Sequence, residues 1–429
     1  MKRINFLLLS LMLIASGSTI FAQEKESELT IKAQLRPRAE YRHGVISPMG
    51  EDSKASSFIS NRARLSVGFD NGFLALGASA QDVSVWGERP QIDGYPRTSG
   101  INEAWAKIYK DGYFLQFGRQ QLTYDDDRIL GTLDWHQAGR FHDALKAGYE
   151  NTNNKIHLIL AYNQHTQKVN TGTYYGSGGQ PYKTMQTAWY QYDTKENFAL
   201  SLLLMNLGFE TGTAGQNGAP DEAKTSHMQT IGTNLSYKIN DLSLYGTVYF
   251  QTGKNRAEQD VSAYMFAAKG QYNFSPVFSA ALGLDYLSGQ KQNNEKATNF
   301  DPLYGTHHKF YGAMDYFYAS PFGNRGLVDF YGSLIFKPAN KLTIDLTYHN
   351  FTSQQPITYG VDMDNKGLGS EIDLTVTYPI RPYIVLQGGY SMMFGTDAFF
   401  EIKGGSKDRT QNWMFLSLNV NPTIFKGKF

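Results

Sequence analysis

Four arginines and their spacing carry the first chemical signal of this chain. Arg36 and Arg38, like Arg62 and Arg64, stand two residues apart, and on an extended strand that spacing puts each pair on one face. If the two segments are neighbouring antiparallel strands, the four guanidiniums form one basic patch, more charge than Glu40 beside them can neutralise. Lys32 and Arg42 extend the same face. A second concentration of charge lies within residues 118–145, where Arg119, Asp125, Asp126, Asp127, Arg128, Asp134 and Arg140 occur without strand alternation, as in a loop that folds inward. Asp125 to Asp127 could hold a Ca²⁺ ion, because hard cations want several carboxylates; the competing reading pairs them with Arg119, Arg128 or Arg140. His307 and His308 could ligate a transition metal or lie in a polar external loop. Catalytic motifs are lacking: there is no G-x-S-x-G elbow, H-E-x-x-H helix or Walker loop. A binding or conducting protein is expected rather than an enzyme.

Composition narrows the classes that could use such charges. With no cysteine among 429 residues, disulfides, thiolate metal sites and thiol catalysis are excluded. The 28 tyrosines and 27 phenylalanines argue against disorder. Lys plus Arg is 40 against 39 for Asp plus Glu, so no basic excess suggests a nucleic-acid partner. A mean hydropathy of −0.41 excludes a bundle of membrane-spanning helices. It leaves a membrane barrel open.

Residues 1–22 follow the basic, apolar, small-residue order of a secretory signal peptide, with Ala22 as the expected cleavage point. Residues 23–429 then form one unit with no room for a separate plug domain before Leu29. From there on the dominant pattern is period two. Leu342, Ile344, Leu346 and Tyr348 alternate with Thr343, Asp345 and Thr347, and Ile372, Leu374, Val376 and Tyr378 alternate with Asp373, Thr375 and Thr377.

Tight turns punctuate the alternation at 70–72, 111–112, 151–154, 193–197, 240–241, 273–276, 338–340 and 379–382, most of them preceded by an aromatic. Between them lie longer polar segments at 43–57, 164–184, 210–227, 252–260, 288–326, 352–367 and 395–410. Short turns at one end, long loops at the other and an aromatic girdle describe a transmembrane antiparallel up-and-down β-barrel of about 18 strands. Its short turns would be periplasmic, its long loops extracellular, and the outer membrane of a diderm bacterium its location. A soluble β-sandwich or propeller also alternates, but has no reason to pair short and long connections so regularly.

The first strand sets the orientation. Leu29, Ile31, Ala33, Leu35, Ala39 and Tyr41 share one face; Thr30, Lys32, Gln34, Arg36, Arg38, Glu40 and Arg42 share the other. An arginine facing lipid costs about 2–4 kcal/mol at mid-bilayer, so the charged face must look into the lumen. Further inward candidates are Glu103 and Lys107 on the fourth strand, Arg140, His142 and Lys146 on the sixth, and Lys269 on the twelfth. Asp285, Asp329, Asp345, Glu371 and Asp373 add inward acids from the late strands, so the lumen should be electrically polarised across its width. Tyr174, Tyr175, Tyr182, Trp189 and Tyr190 could stack on sugar rings or belong to an interface girdle.

Residues 118–145 resemble the signature region of the alginate export family of outer-membrane porins. The segments Gln81 to Gly87, Leu284 to Gly289, Phe300 to Phe317 and Leu368 to Leu374 agree with that likeness, which covers nearly all of the mature chain. The resemblance implies a monomeric 18-stranded barrel with an Arg/Lys-lined constriction that passes an anionic polyuronate without a cofactor. It maps the basic lining to Arg36, Arg38, Arg62, Arg64, Arg119, Arg128 and Arg140, leaves a general or neutral-oligosaccharide porin used for uptake as the alternative, and admits periplasmic export proteins as partners.

Overall fold

The computed structural model describes residues 26–429 except 93–98, 168, 171, 176–180, 213–223, 321, 340 and 360–361. The expected leader therefore lies outside the described residues. Eighteen strands form one closed antiparallel sheet. The first is interrupted at Pro37, running Glu28–Leu35 and then Arg38–His43 (β1). It is followed by β2 Ser56–Asp70, β3 Leu74–Val85, β4 Ser99–Lys110, β5 Tyr113–Gln120 and β6 His142–Glu150. Next come β7 Asn154–Tyr162, β8 Thr184–Asp193, β9 Phe198–Glu210, β10 Thr225–Ile239, β11 Leu242–Lys254 and β12 Asp260–Ser275. The last are β13 Phe278–Leu287, β14 Leu327–Ala339, β15 Leu342–Tyr359, β16 Asp362–Arg381, β17 Ile384–Gly395 and β18, which runs Gln411–Val420 and Thr423–Lys428 around Pro422.

Each strand pairs with its sequence neighbours, and β1 pairs with β18 to close the cylinder. Closure leaves no sheet edge, the condition a strand-built protein must meet in hydrocarbon. The closing seam holds Pro37 on one strand and Pro422 on the other, each opposite a different residue: the carbonyl of Pro37 accepts from Leu418 N–H at 3.1 Å and that of Pro422 from Ala33 N–H at 3.2 Å. Neither proline returns a donor.

All eight tight turns fall between strands at one end of the barrel. Exposure follows the pleat in the sense of a membrane protein. Leu65, Leu158, Leu282 and Leu416 point outward and are at least half exposed, whereas Arg62, Asp329 and Glu371 point inward and are at most 1% exposed. A soluble domain would reverse the two sets.

The long connections differ from expectation in two places. Residues 352–367 do not form a loop, because β15 and β16 continue as an extended hairpin. The 288–326 connection does not stay outside. It enters the barrel, as the β5–β6 connection (121–141) also does, and the two meet in a parallel bridge between Leu130 and Tyr304. Their apolar side chains explain why. Leu122, Ile129, Leu130, Tyr304, Tyr311, Met314 and Phe317 belong to one buried cluster with the inward-facing Ile159, Leu203 and Met265 of the wall. Burying a large apolar side chain contributes about 1.5–3 kcal/mol, which pulls both segments off the rim.

Candidate functional site in the lumen

The inward faces of β1 and β2 present the arginine cluster, and the 121–141 segment lies against it. Arg36 donates from Nε to Gln137 Oε1 at 3.0 Å and from Nη1 to Asp134 Oδ2 at 3.1 Å. Arg62 donates to Asp134 Oδ1 at 2.8 Å and to the Gln137 carbonyl at 3.3 Å. Arg38 donates to the Trp135 carbonyl at 2.8 Å, and its guanidinium lies 4.2 Å over the Trp135 ring. Arg64 binds Gln81 Oε1, whose amide nitrogen in turn reaches the Ala138 carbonyl at 2.8 Å. Glu40 is buried and shared by Arg38 and Arg42, each at 2.9 Å. The patch thus grips backbone carbonyls of 135–138 and the Asp134 carboxylate. Burial alone would push the Asp134 carboxyl up, but Arg62 and then Arg36 outweigh it and hold it below the ordinary carboxylate range. Burial, reinforced by Arg38 and Arg36, pushes the His136 imidazole down.

The late strands present the opposite chemistry. Glu371 accepts from Met314 N–H at 2.8 Å and Asp373 from Ala313 N–H at 3.2 Å. Gly312 lies so close that a Cβ there would sit 2.8 Å from both Glu371 oxygens, and its φ of +83° suits glycine. His349 joins Asp329 at 2.9 Å and Asp373 at 3.6 Å. Asp285 receives Arg128 at 2.7 Å across the lumen, and Arg128 also holds Asp126 at 2.9 Å and lies 3.8 Å over Phe310. A chamber of about 620 Å³ remains beside this wall, lined among others by Asp126, Arg128, Lys269, Lys309 and Asp345. Asp345 accepts from Thr347 at 2.9 Å.

The remaining expected residues divide between inner and outer faces. A bulge at Asn102 turns both Asn102 and Glu103 inward, and Glu103 shares a cavity of about 380 Å³ with Lys32 and Trp105. Lys107 faces the lumen beside Phe114. Arg140 donates to the carbonyls of Tyr304 and Gly305, tying the two in-folded segments together. Arg119 is a correction. It stands on the outer face of β5 and forms a two-pronged pair with the outward Asp143 at 2.9 and 3.0 Å. In β5 the even positions Phe114, Gln116 and Gln120 are buried and the odd ones are not, so position 119 falls outside.

The Asp125–Asp127 run disperses rather than converging on one point. Asp125 accepts from Trp189 at 3.0 Å and Tyr249 at 3.1 Å, Asp126 pairs with Arg128, and Asp127 with Lys309. No metal-binding trio of His, Asp or Glu forms among the described residues. His307 and His308 belong to the in-folded segment rather than an external loop, and His308 stacks on Trp135 at 4.2 Å. Tyr175, Tyr182 and Trp189 are buried among protein groups, while Tyr190 points outward. Sequence reasoning missed Gln81, Gln137, His349 and the 310–315 stretch. The density of aromatics from Phe300 to Phe322 was the available signal, since a solvent-exposed loop has no use for so many.

The profile of the alginate export family matches residues 28–412. No protein of curated function matches in sequence. Among solved structures, OccAB1 of Acinetobacter baumannii is 12% identical with a TM-score of 0.62, covering 93% of this chain and 97% of its own. OpdO of Pseudomonas aeruginosa is 12% identical at a TM-score of 0.59, covering 92% and 98%. OpdK of Pseudomonas aeruginosa, solved with vanillate, is 10% identical at 0.57, covering 92% and 99%. At such identities the likeness is one of fold. The family match, spanning almost the whole barrel, makes this chain a member of the alginate export family and an outer-membrane channel.

Proposed function

We propose that the channel passes acidic oligo- or polysaccharides of the polyuronate class by diffusion. The observation that carries this reading is a surplus of positive charge on one wall: among the described residues Arg36, Arg38, Arg42 and Arg62 share just Glu40 and Asp134 in ion pairs, and Arg64 binds the neutral Gln81. Such a surplus attracts anions into a low-dielectric cleft. Where exposed side chains meet a passing carboxylate, contacts worth about 0–1 kcal/mol each suit transport, because a polymer must leave each site as readily as it reaches the next. Each barrel encloses its own path, so a monomer suffices. Residues 1–22 would serve as the leader removed on export. Reversal potentials in a KCl gradient test the proposal: chloride preference is expected, and cation preference or none would defeat it.

Neutral oligosaccharide passage is the second reading. It is favoured by the engagement of Arg36, Arg38 and Arg62 with the 134–138 segment, which leaves those charges a structural use. Liposome swelling with neutral against acidic sugars of equal size separates the two.

A further inference from the structure

The segment that the arginine patch grips covers its guanidiniums, so the patch draws an anion inward through its field while direct contact needs positive charge elsewhere. Lys107 and Lys146 supply it. The pairing register places Lys107 opposite Gln116 and Gln116 opposite Lys146, one inward row across β4, β5 and β6. Their ammonium groups lie 4.5 and 5.7 Å from the Phe114 ring between them, and neither meets a carboxylate within ion-pair distance among the described residues. Of the acids on that wall, Glu150 is engaged by His157 Nε2 at 2.8 Å, and Asp70, in the row of Lys107 across Ala75, accepts from the Tyr109 hydroxyl at 2.6 Å. The row lies near the periplasmic ends of its strands, below Tyr124 of the first in-folded segment, which hydrogen-bonds His157 at 3.0 Å. Next to Lys107 on the same face, Trp105 forms part of the 380 Å³ cavity.

We infer that Lys107 and Lys146, with the Gln116 amide between them, form the subsite that receives a uronate carboxylate on the periplasmic side of the constriction. Two ammonium groups can each donate to one carboxylate oxygen, and Gln116 adds a neutral donor. Phe114 desolvates both lysines on one side, which strengthens their pull on an anion. This inference rests on the anion-channel reading above, and its test keeps the two apart.

The experiment uses full-length protein in planar bilayers, with trigalacturonate and maltotriose as blockers. For wild type, chloride preference and block by trigalacturonate are expected. The Lys107→Gln, Lys146→Gln double variant should weaken that block roughly tenfold while leaving maltotriose unchanged. The Lys107→Arg, Lys146→Arg variant should restore block, and heat-dependent gel mobility verifies that each barrel is folded. If wild type selects anions and the Gln variant still binds trigalacturonate normally, or loses maltotriose block to the same extent, the subsite is wrong and the channel reading stands. If wild type shows no anion preference, the anion-channel reading fails and the uronate subsite with it.

Discussion

The two charged walls of the lumen do the same job with opposite chemistry. On β1 and β2, arginines hold carbonyl oxygens of 135–138. On β16, Glu371 and Asp373 hold the amides of 313 and 314. A guanidinium can only donate and a carboxylate only accept, so each wall selects the complementary half of an in-folded peptide backbone. Charge that reads in sequence as substrate recognition is largely spent on anchoring the constriction. What remains for a substrate is the charge the anchoring leaves over.

The comparison breaks most severely where the walls are tied together. Arg128 belongs to the segment that the arginines grip, yet it reaches Asp285 on the acid side. Replacing it by alanine strands a buried carboxylate, at a cost of about 3–5 kcal/mol. The expected result for Arg128→Ala is a lower denaturant midpoint together with a larger, noisier single-channel conductance; an unchanged conductance would mean the constriction stands without this tie.

Acid sharpens the contrast. Asp134 is held below its ordinary value, so its contacts contribute fully above the unfolded carboxylate pKa of about 3.9 and fade as pH falls through the depressed native value. Conductance governed by this anchor should stay flat from neutral pH to about 4 and rise below that. Asp134→Asn should remove that rise when pH titrations of single channels are compared. The smallest effect is expected for Arg119→Ala. Its pair with Asp143 is outward, away from the ion path, so ion selectivity should match wild type.

Much of the barrel was legible because alternation and turn chemistry are local. Leu65 and Arg64 disclose their faces without knowledge of any partner, and Asp70 to Gly72 discloses its turn. The uses of the charges were not local. Arg36 meets Gln137 about a hundred positions away, in a stretch without alternation, so its partner could not be read from period two. Arg119 lies near the end of a strand too short to fix its phase before the 121–141 segment begins. The 288–326 segment was misplaced because its glycines, asparagines and lysines suggest solvent, although Tyr311, Met314 and Phe317 are what decide its position.

The proline seam has a consequence for assembly. Two absent donors thin the ladder where the chain's first and last strands must find each other, so alignment there leans on side chains: Gln34 to Asn419 at 2.8 Å and Glu28 to Lys426 at 3.3 Å bridge it. The final stitch of the cylinder thus keeps its backbone ladder on either side of the prolines and draws on these polar handshakes where the donors are missing.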